Sequence, residues 1–316
     1  MLPLHRGYDL AARSYRLRSM AGNVMAIADD VRKCVLFIGH GDEGNFKSCG
    51  TAFLLGYKGT TYLVTARHVA LALGDDPFSF RLNLRNGLSD TIHHDPLGNK
   101  HEWFRWHVPH DPTVDLAVKP FNFAFGSLGY EIKALKGSDW ILDDVKRAEE
   151  HIGPGDLCYA IGLFHLVQGT RRNVPIVHTG RIAMNSGEEL VPVEDWTGQK
   201  ETVDVNGYLV ELTNLEGLSG APVLVRGEFH VDEFYTHSGE QRGVSVTDTR
   251  LHLLGVWQGS WNHSIHDGRR PLAIGVVVPA SELLKLLEQD DVAAARAAFD
   301  AALALREAAS LDSGKG

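Results

Sequence analysis

The stretch Glu216-Gly217-Leu218-Ser219-Gly220-Ala221-Pro222-Val223 decides how this 316-residue chain is read. A serine lies between glycines, and the run Pro222-Val223-Leu224-Val225 after it has the β-branched, apolar character of a strand. Upstream, Tyr208–Leu212 is a second apolar run. The serine therefore falls in a glycine-rich turn between two strands, a setting that is often a tight loop and nothing more.

Outward from that turn the same punctuation recurs. Short apolar runs at Val35–Ile38, Thr51–Leu55, Tyr62–Thr65, Leu116–Val118, Cys158–Ile161, Leu251–Trp257 and Leu272–Val278 are separated by glycine-rich segments. Many short strands with turn signals between them predict an all-β sandwich or barrel, not alternating βαβ units. The clearest local unit is a hairpin, with strands 49–55 and 61–65 joined through Gly56-Tyr57-Lys58-Gly59-Thr60. The ends read as helix: residues 8–33 carry apolar side chains at loosely helical spacing, and 291–309 is rich in alanine. At ~150 residues per domain the length gives roughly two units. The predicted division is a helical extension over 1–33, a first unit over 34–130, a second over 131–280 and C-terminal helices over 281–316.

Composition narrows the function. A hydrophobic fraction of 44% and a charged fraction of 22% are those of a soluble globular protein, which excludes disordered, collagen-like and coiled-coil rods. With 31 Lys+Arg against 40 Asp+Glu the net charge is −9, a poor match to a phosphate backbone, so no nucleic-acid partner is expected. No run approaches the ~18–20 apolar residues that span a bilayer. The first residues are broken by Arg6, Asp9, Arg13, Arg16 and Arg18, so the apolar centre of a secretory signal is missing and no membrane partner is expected. Three cysteines, Cys34, Cys49 and Cys158, make no disulfide framework, although Cys34 and Cys49 are free to pair; the expected compartment is the cytoplasm.

Two further segments complete a chemical set. Leu63-Val64-Thr65-Ala66-Arg67-His68-Val69 is a strand running into a turn that ends in histidine, and Thr113-Val114-Asp115-Leu116-Ala117-Val118 opens an apolar strand with aspartate. Singly, each has an ordinary structural explanation, since the chain has 16 histidines and aspartates commonly cap turns. Together with Ser219 they supply a nucleophile, a base to take its proton, and a carboxylate to fix the base's tautomer. If residues 217–219 fold as a nest, the amides of Gly217 and Ser219 converge on one point and stabilise an oxyanion.

These segments, with Gly50-Thr51-Ala52-Phe53, Leu254-Gly255-Val256 and Ala273-Ile274-Gly275-Val276-Val277-Val278-Pro279, resemble the trypsin-like serine peptidases of the chymotrypsin fold. The style is bacterial, that of the high-temperature-requirement and glutamyl endopeptidases. The order His, Asp, Ser is the family's, and the likeness covers roughly residues 34–280. It implies two six-stranded antiparallel β-barrels with a cleft between them, a triad of His68, Asp115 and Ser219, and an oxyanion hole from the amides of Gly217 and Ser219. It also implies that Thr213 lies at the base of the specificity pocket and that Val256-Trp257-Gln258-Gly259 is the strand receiving substrate backbone. The implied activity is hydrolysis of peptide bonds through an acyl-enzyme, with a protein or peptide as substrate and no cofactor or metal.

The departures from the family carry information. Leu218 stands where trypsin has the aspartate that receives a newly cut N-terminus, so activation by that cleavage is not expected. No cysteine follows His68 to pair with Cys49. Thr213 in place of an acid removes the preference for Arg or Lys at the cut, and Trp257 could narrow the pocket; small, polar and apolar residues all stay open. Glu228–Arg250 is polar and is expected to be a solvated surface loop. That loop and the N-terminal helix are the places where a regulatory partner would sit.

Rival readings fail on particulars. An α/β-hydrolase needs Gly-x-Ser-x-Gly with a helix after the serine, but residue 221 is alanine and the run after it is strand-like. His93-His94 and His263/His266 lack the spacing partners of a metal site. A peptidase-like module that binds peptides without cutting them is the serious alternative.

Overall fold

The computed structural model describes residues 27, 29–74, 77–94, 105–121, 129–163, 169, 171–196, 200–212, 217–237, 240–265 and 268–313. Most of the expected N-terminal helix lies outside these residues; of it, only the one-turn α1 (Asp29–Arg32) is described.

The first half is built on an antiparallel meander. Strands β1 (Val35–His40), β2 (Lys47–Tyr57) and β3 (Thr60–Thr65) are buried along most of their length, because both of their faces are covered. The β2–β3 turn is tighter than the glycines indicated. Tyr57 pairs with Thr60, and Lys58 and Gly59 both hold positive φ, 44° and 87°, as a two-residue type I′ hairpin requires. Helix α2 (Arg67–Leu73) follows β3 directly. Next come β4 (Phe78–Asn83), β5 (Ser89–His94), β6 (Ala117–Pro120) and the short β7 (Leu135–Lys136). The sheet order is β5-β4-β1-β2-β3-β6, with β7 alongside β2. Among the described residues its outer strands β5 and β6 do not pair with each other, so the first of the two expected barrels is here a seven-stranded sheet. The bridge His107↔Val118 lays the chain beyond β5 against the free edge of β6.

The second half closes. Helix α3 (Asp144–Glu149), capped by the Asp143 carboxylate on the Lys146 amide, leads into β8 (Leu157–Gly162) and β9 (Ile176–Met184). The small pair β10 (Val191–Glu194) and β11 (Thr202–Val205) precedes β12 (Tyr208–Glu211). Then come β13 (Pro222–His237), β14 (Glu240–Ile265) and β15 (Gly268–Pro279). The closed order β12-β15-β14-β13-β8-β9 leaves this barrel without an edge.

The expected loop over 228–250 is instead an arm. Beyond the barrel, β13 and β14 stay paired in unbroken register from Arg226↔Leu251 out to His237↔Glu240. Alternating Phe, Val, Tyr and Thr with polar residues is a strand pattern, and its polar half hides the strand when read by composition alone.

Helices α4 (Ala280–Leu287) and α5 (Asp290–Ser313) close the described chain. The residue at the N-cap position of α4 is Pro279, whose fixed φ suits a helix start. Ala280, Leu283, Leu286, Leu287 and Val292 share one buried cluster with Phe53, Leu55 and Val64 of the sheet and Leu224, Leu253 and Val256 of the barrel. That cluster is the seam between the halves. Tyr57 donates to Glu288 at 2.6 Å, and Thr60 to Asp300 at 3.1 Å, tying the hairpin to the same helices. No helix among the described residues is long and apolar enough to cross a membrane.

Candidate active site

His68 is the second residue of α2. Its amide belongs to the first turn, where backbone donors lack an intrahelical acceptor, and Ala66 at the cap position has no side chain to supply one. Asp115, just before β6, fills that gap. Its Oδ1 accepts from the His68 amide at 2.8 Å, and its Oδ2 accepts from His68 Nδ1 at 2.7 Å. The carboxylate is fully buried, and two donors aimed at it are what make such burial tolerable. With Nδ1–H committed to Asp115, Nε2 is left as the acceptor of the neutral ring, whose side chain is 30% exposed.

Ser219 arrives from the other half, on a turn pinned from both sides. The Thr51 amide donates to the Ser219 carbonyl at 2.9 Å, and Thr51 Oγ1 donates to the Gly217 carbonyl at 2.7 Å. The Leu163 amide in turn donates to Thr51 Oγ1 at 3.2 Å. On the barrel side the Gly220 amide donates to the Trp257 carbonyl, and the Trp257 amide to the Ala221 carbonyl. Glycine is obligatory at 220: φ is +86°, and a Cβ there would lie 2.2 Å from the Thr51 carbonyl and from Thr65 Oγ1. At Gly50 a Cβ would lie 3.0 Å from both the Ser219 carbonyl and the methyls of Val69. The serine turn and the residue after His68 thus meet over Gly50.

Two members of the expected triad are hydrogen-bonded, and the third sits on the adjoining turn with its hydroxyl turned aside. Ser219 Oγ donates to the Gln258 carbonyl at 3.4 Å, a long and weak bond; among the described residues it has none to the His68 ring. The amides of Gly217 and Ser219 donate to no acceptor among the described residues, whereas those of Gly220 and Ala221 do. Gly217 holds φ at +97°, with its carbonyl turned to Thr51. Two undonated amides flanking a serine can receive a developing oxyanion.

The remaining expected residues divide. Thr213 lies outside the described residues. Val256 and Trp257 are not open to substrate backbone: both are fully buried, Val256 pairs with Pro222 and Val278, and Trp257 is held by Ala221, Gly220 and Val277. Gln258 is the extra residue of a β-bulge between Trp257 and Gly259, and a Cβ built on Gly259 meets nothing within 4 Å. Of the expected stretch, Gln258 and Gly259 are therefore the residues not held by the Ala221–Gly220 turn. Sequence reading gave Thr51 only as part of a motif; its hydroxyl, which bridges the halves, has no signal in one sequence.

The three thiols are free, so Cys34 and Cys49 do not pair. Burial pushes the Cys34 and Cys158 thiols up to about 12, which makes them inert as nucleophiles.

No family model and no curated protein matches this chain. Among solved structures, the active form of the Rv3671c protease from M. tuberculosis is 18% identical over 81% of this chain and 80% of that one, with a TM-score of 0.42. A structure reported for coupled folding and binding of the Sesbania mosaic virus VPg protein is 12% identical over 78% and 85%, with a TM-score of 0.37. Both likenesses are loose, and the chemistry of the site rests on its own geometry.

Proposed function

We propose that this protein is a serine endopeptidase of the trypsin-like type, cutting peptide bonds through an acyl-enzyme. The observation that carries the reading is the buried Asp115, which grips both the amide and the ring of His68 and leaves Nε2 as the ring's acceptor. In this reading Ser219 Oγ leaves the Gln258 carbonyl, gives its proton to His68 Nε2 and attacks the scissile carbonyl. The amides of Gly217 and Ser219 hold the oxyanion, and the imidazolium, steadied by Asp115, protonates the departing amine. Water then repeats the sequence and releases the acid. Hydrogen bonds that are long without substrate commonly tighten in the complex, which accommodates the 3.4 Å contact. Substrate backbone adds along Gln258–Gly259, and the three free thiols support a reducing, cytoplasmic setting.

One observation favours a second reading, a module that binds peptide without cutting it: the Ser219 hydroxyl is bonded to Gln258 and not to the base. A fluorophosphonate probe separates the two. Stoichiometric labelling of the wild type, abolished in Ser219→Ala and reduced by about 10³ or more in His68→Ala, is the expected result. Folded wild-type protein that takes no label would move the assignment to the binding module.

A further inference from the structure

The turn that carries Ser219 is seated where two strands part. β2 and β3 pair from Tyr57↔Thr60 up to Phe53↔Val64. Past that point Thr51 stays with β1, opposite Phe37, and Thr65 stays with β6, opposite Ala117. A side chain closes the fork. Thr65 Oγ1 donates to the Thr51 carbonyl at 2.8 Å, and both residues are fully buried. A hydroxyl so buried is costly unless bonded, and β-branching restricts its rotamers, so the bond holds the side chain in one place. Gly220 sits directly on this closure. The Cβ it lacks would lie 2.2 Å from both bonded oxygens and 3.1 Å from the Ala66 amide nitrogen. Thr65 therefore borders every part of the site. It stands three residues before His68, its partner on β6 lies two residues past Asp115, and its hydroxyl lies under the residue after Ser219. It also fixes Thr51, whose amide and hydroxyl hold the carbonyls of Ser219 and Gly217.

We propose that Thr65 is a positioning residue for Ser219: by holding the Thr51 carbonyl beneath Gly220, its hydroxyl sets where the serine turn stands relative to the base. It touches no reacting atom and acts through Thr51 and Gly220. Without the hydroxyl, the buried Thr51 carbonyl loses this donor, and the fork and the turn seated on it shift relative to α2. The bonds from His68 to Asp115 do not pass through Thr65 and keep their geometry. A displacement of about 1 Å between reacting groups is enough to cost roughly 10² in turnover. The effect on turnover rests on the hydrolase reading; the effect on placement does not.

The test is a set of substitutions at 65, with circular dichroism confirming the fold. In Thr65→Val, kcat for a fluorogenic peptide and the rate of fluorophosphonate labelling should both fall by roughly 10² with KM unchanged. Thr65→Ala, which puts no methyl in place of the hydroxyl, should do the same. Thr65→Ser keeps the hydroxyl and should restore most of both rates. A second readout needs no turnover. The amides of Thr51 and Leu163, both bonded across the seam, should exchange about tenfold faster in the Val and Ala variants, while the His68 amide keeps its protection. Folded Val and Ala variants with wild-type kcat and exchange would overturn the proposal. So would a Ser variant as impaired as they are, or a loss confined to KM. Wild-type protein that neither labels nor cuts would remove the hydrolase reading alone. Faster exchange at Thr51 and Leu163 but not at His68 would then still uphold the placement, and an equal change at all three would overturn it.

Discussion

The two halves hold their shares of the site differently. In the sheet half, His68 and Asp115 are fixed by two hydrogen bonds, one of them doubling as the missing cap of α2. In the barrel half, Ser219 is fixed only through its backbone, and its hydroxyl rests on a weak contact. His68 is preorganised within one unit, whereas Ser219 is placed by contacts that cross to the other. How firmly the ring is held and how firmly the hydroxyl is held are thus separable properties, located on opposite sides of the seam.

The sharpest way to break that contrast is Asp115→Asn, which keeps an acceptor for the His68 amide but disturbs the ring tautomer. Turnover should fall by about 10⁴ with thermal stability little changed, measured by substrate hydrolysis beside a melting curve. Thr51→Val tests the other side. It removes the hydroxyl by which β2 reaches across the seam to Gly217 and Leu163 while keeping the amide on Ser219, so turnover should drop by about 10² while the His68–Asp115 bond persists. The NMR shift of the proton on His68 Nδ1 would report that persistence, and its loss would show that the halves are not separable.

Electrostatics distinguish the halves at a smaller scale. Burial pushes the Lys119 ammonium in β6 down to about 8 from 10.5. Between those values the unfolded chain binds the proton that the folded chain has shed, so stability should rise with pH across the window. Lys119→Met should flatten the rise, read from urea unfolding at about pH 7 and about pH 9.5. The least effect is expected at Glu288, whose carboxyl hydrogen bonds from Lys58 and Tyr57 hold below the usual range. This contribution is present above the ordinary carboxylate pKa and disappears as the pH falls through the lowered one. The side chain is 42% exposed, so Glu288→Gln should cost about 0.5 kcal/mol or less at pH 7 and less still as the pH falls through the lowered pKa.

How much of this was legible in the sequence follows from how local each feature is. Strands β1, β2, β3 and β8 announce themselves as apolar runs because both faces are buried over most of their length. The residues His68, Asp115 and Ser219 stood out by type and flanking pattern. Their relation across the seam depends on Thr51, Gly50 and Gly220, whose roles are set by contacts between segments far apart in the chain. The arm of β13 and β14 was hidden because half of its residues are polar. The bulge at Gln258, which adds one residue and so changes which side of the strand each later residue occupies, cannot be read from alternation at all.

The seam cluster also has a meaning in time. It begins at Val31 and is completed by Leu286, Leu287 and Val292, so the stretch 31–292 must all emerge from the ribosome before this core can form. Contacts so distant in the chain are made late and slowly. A nascent copy therefore carries His68 and Asp115, and later Ser219, before the packed junction between the halves exists. Joining of the two halves becomes a late event of biogenesis.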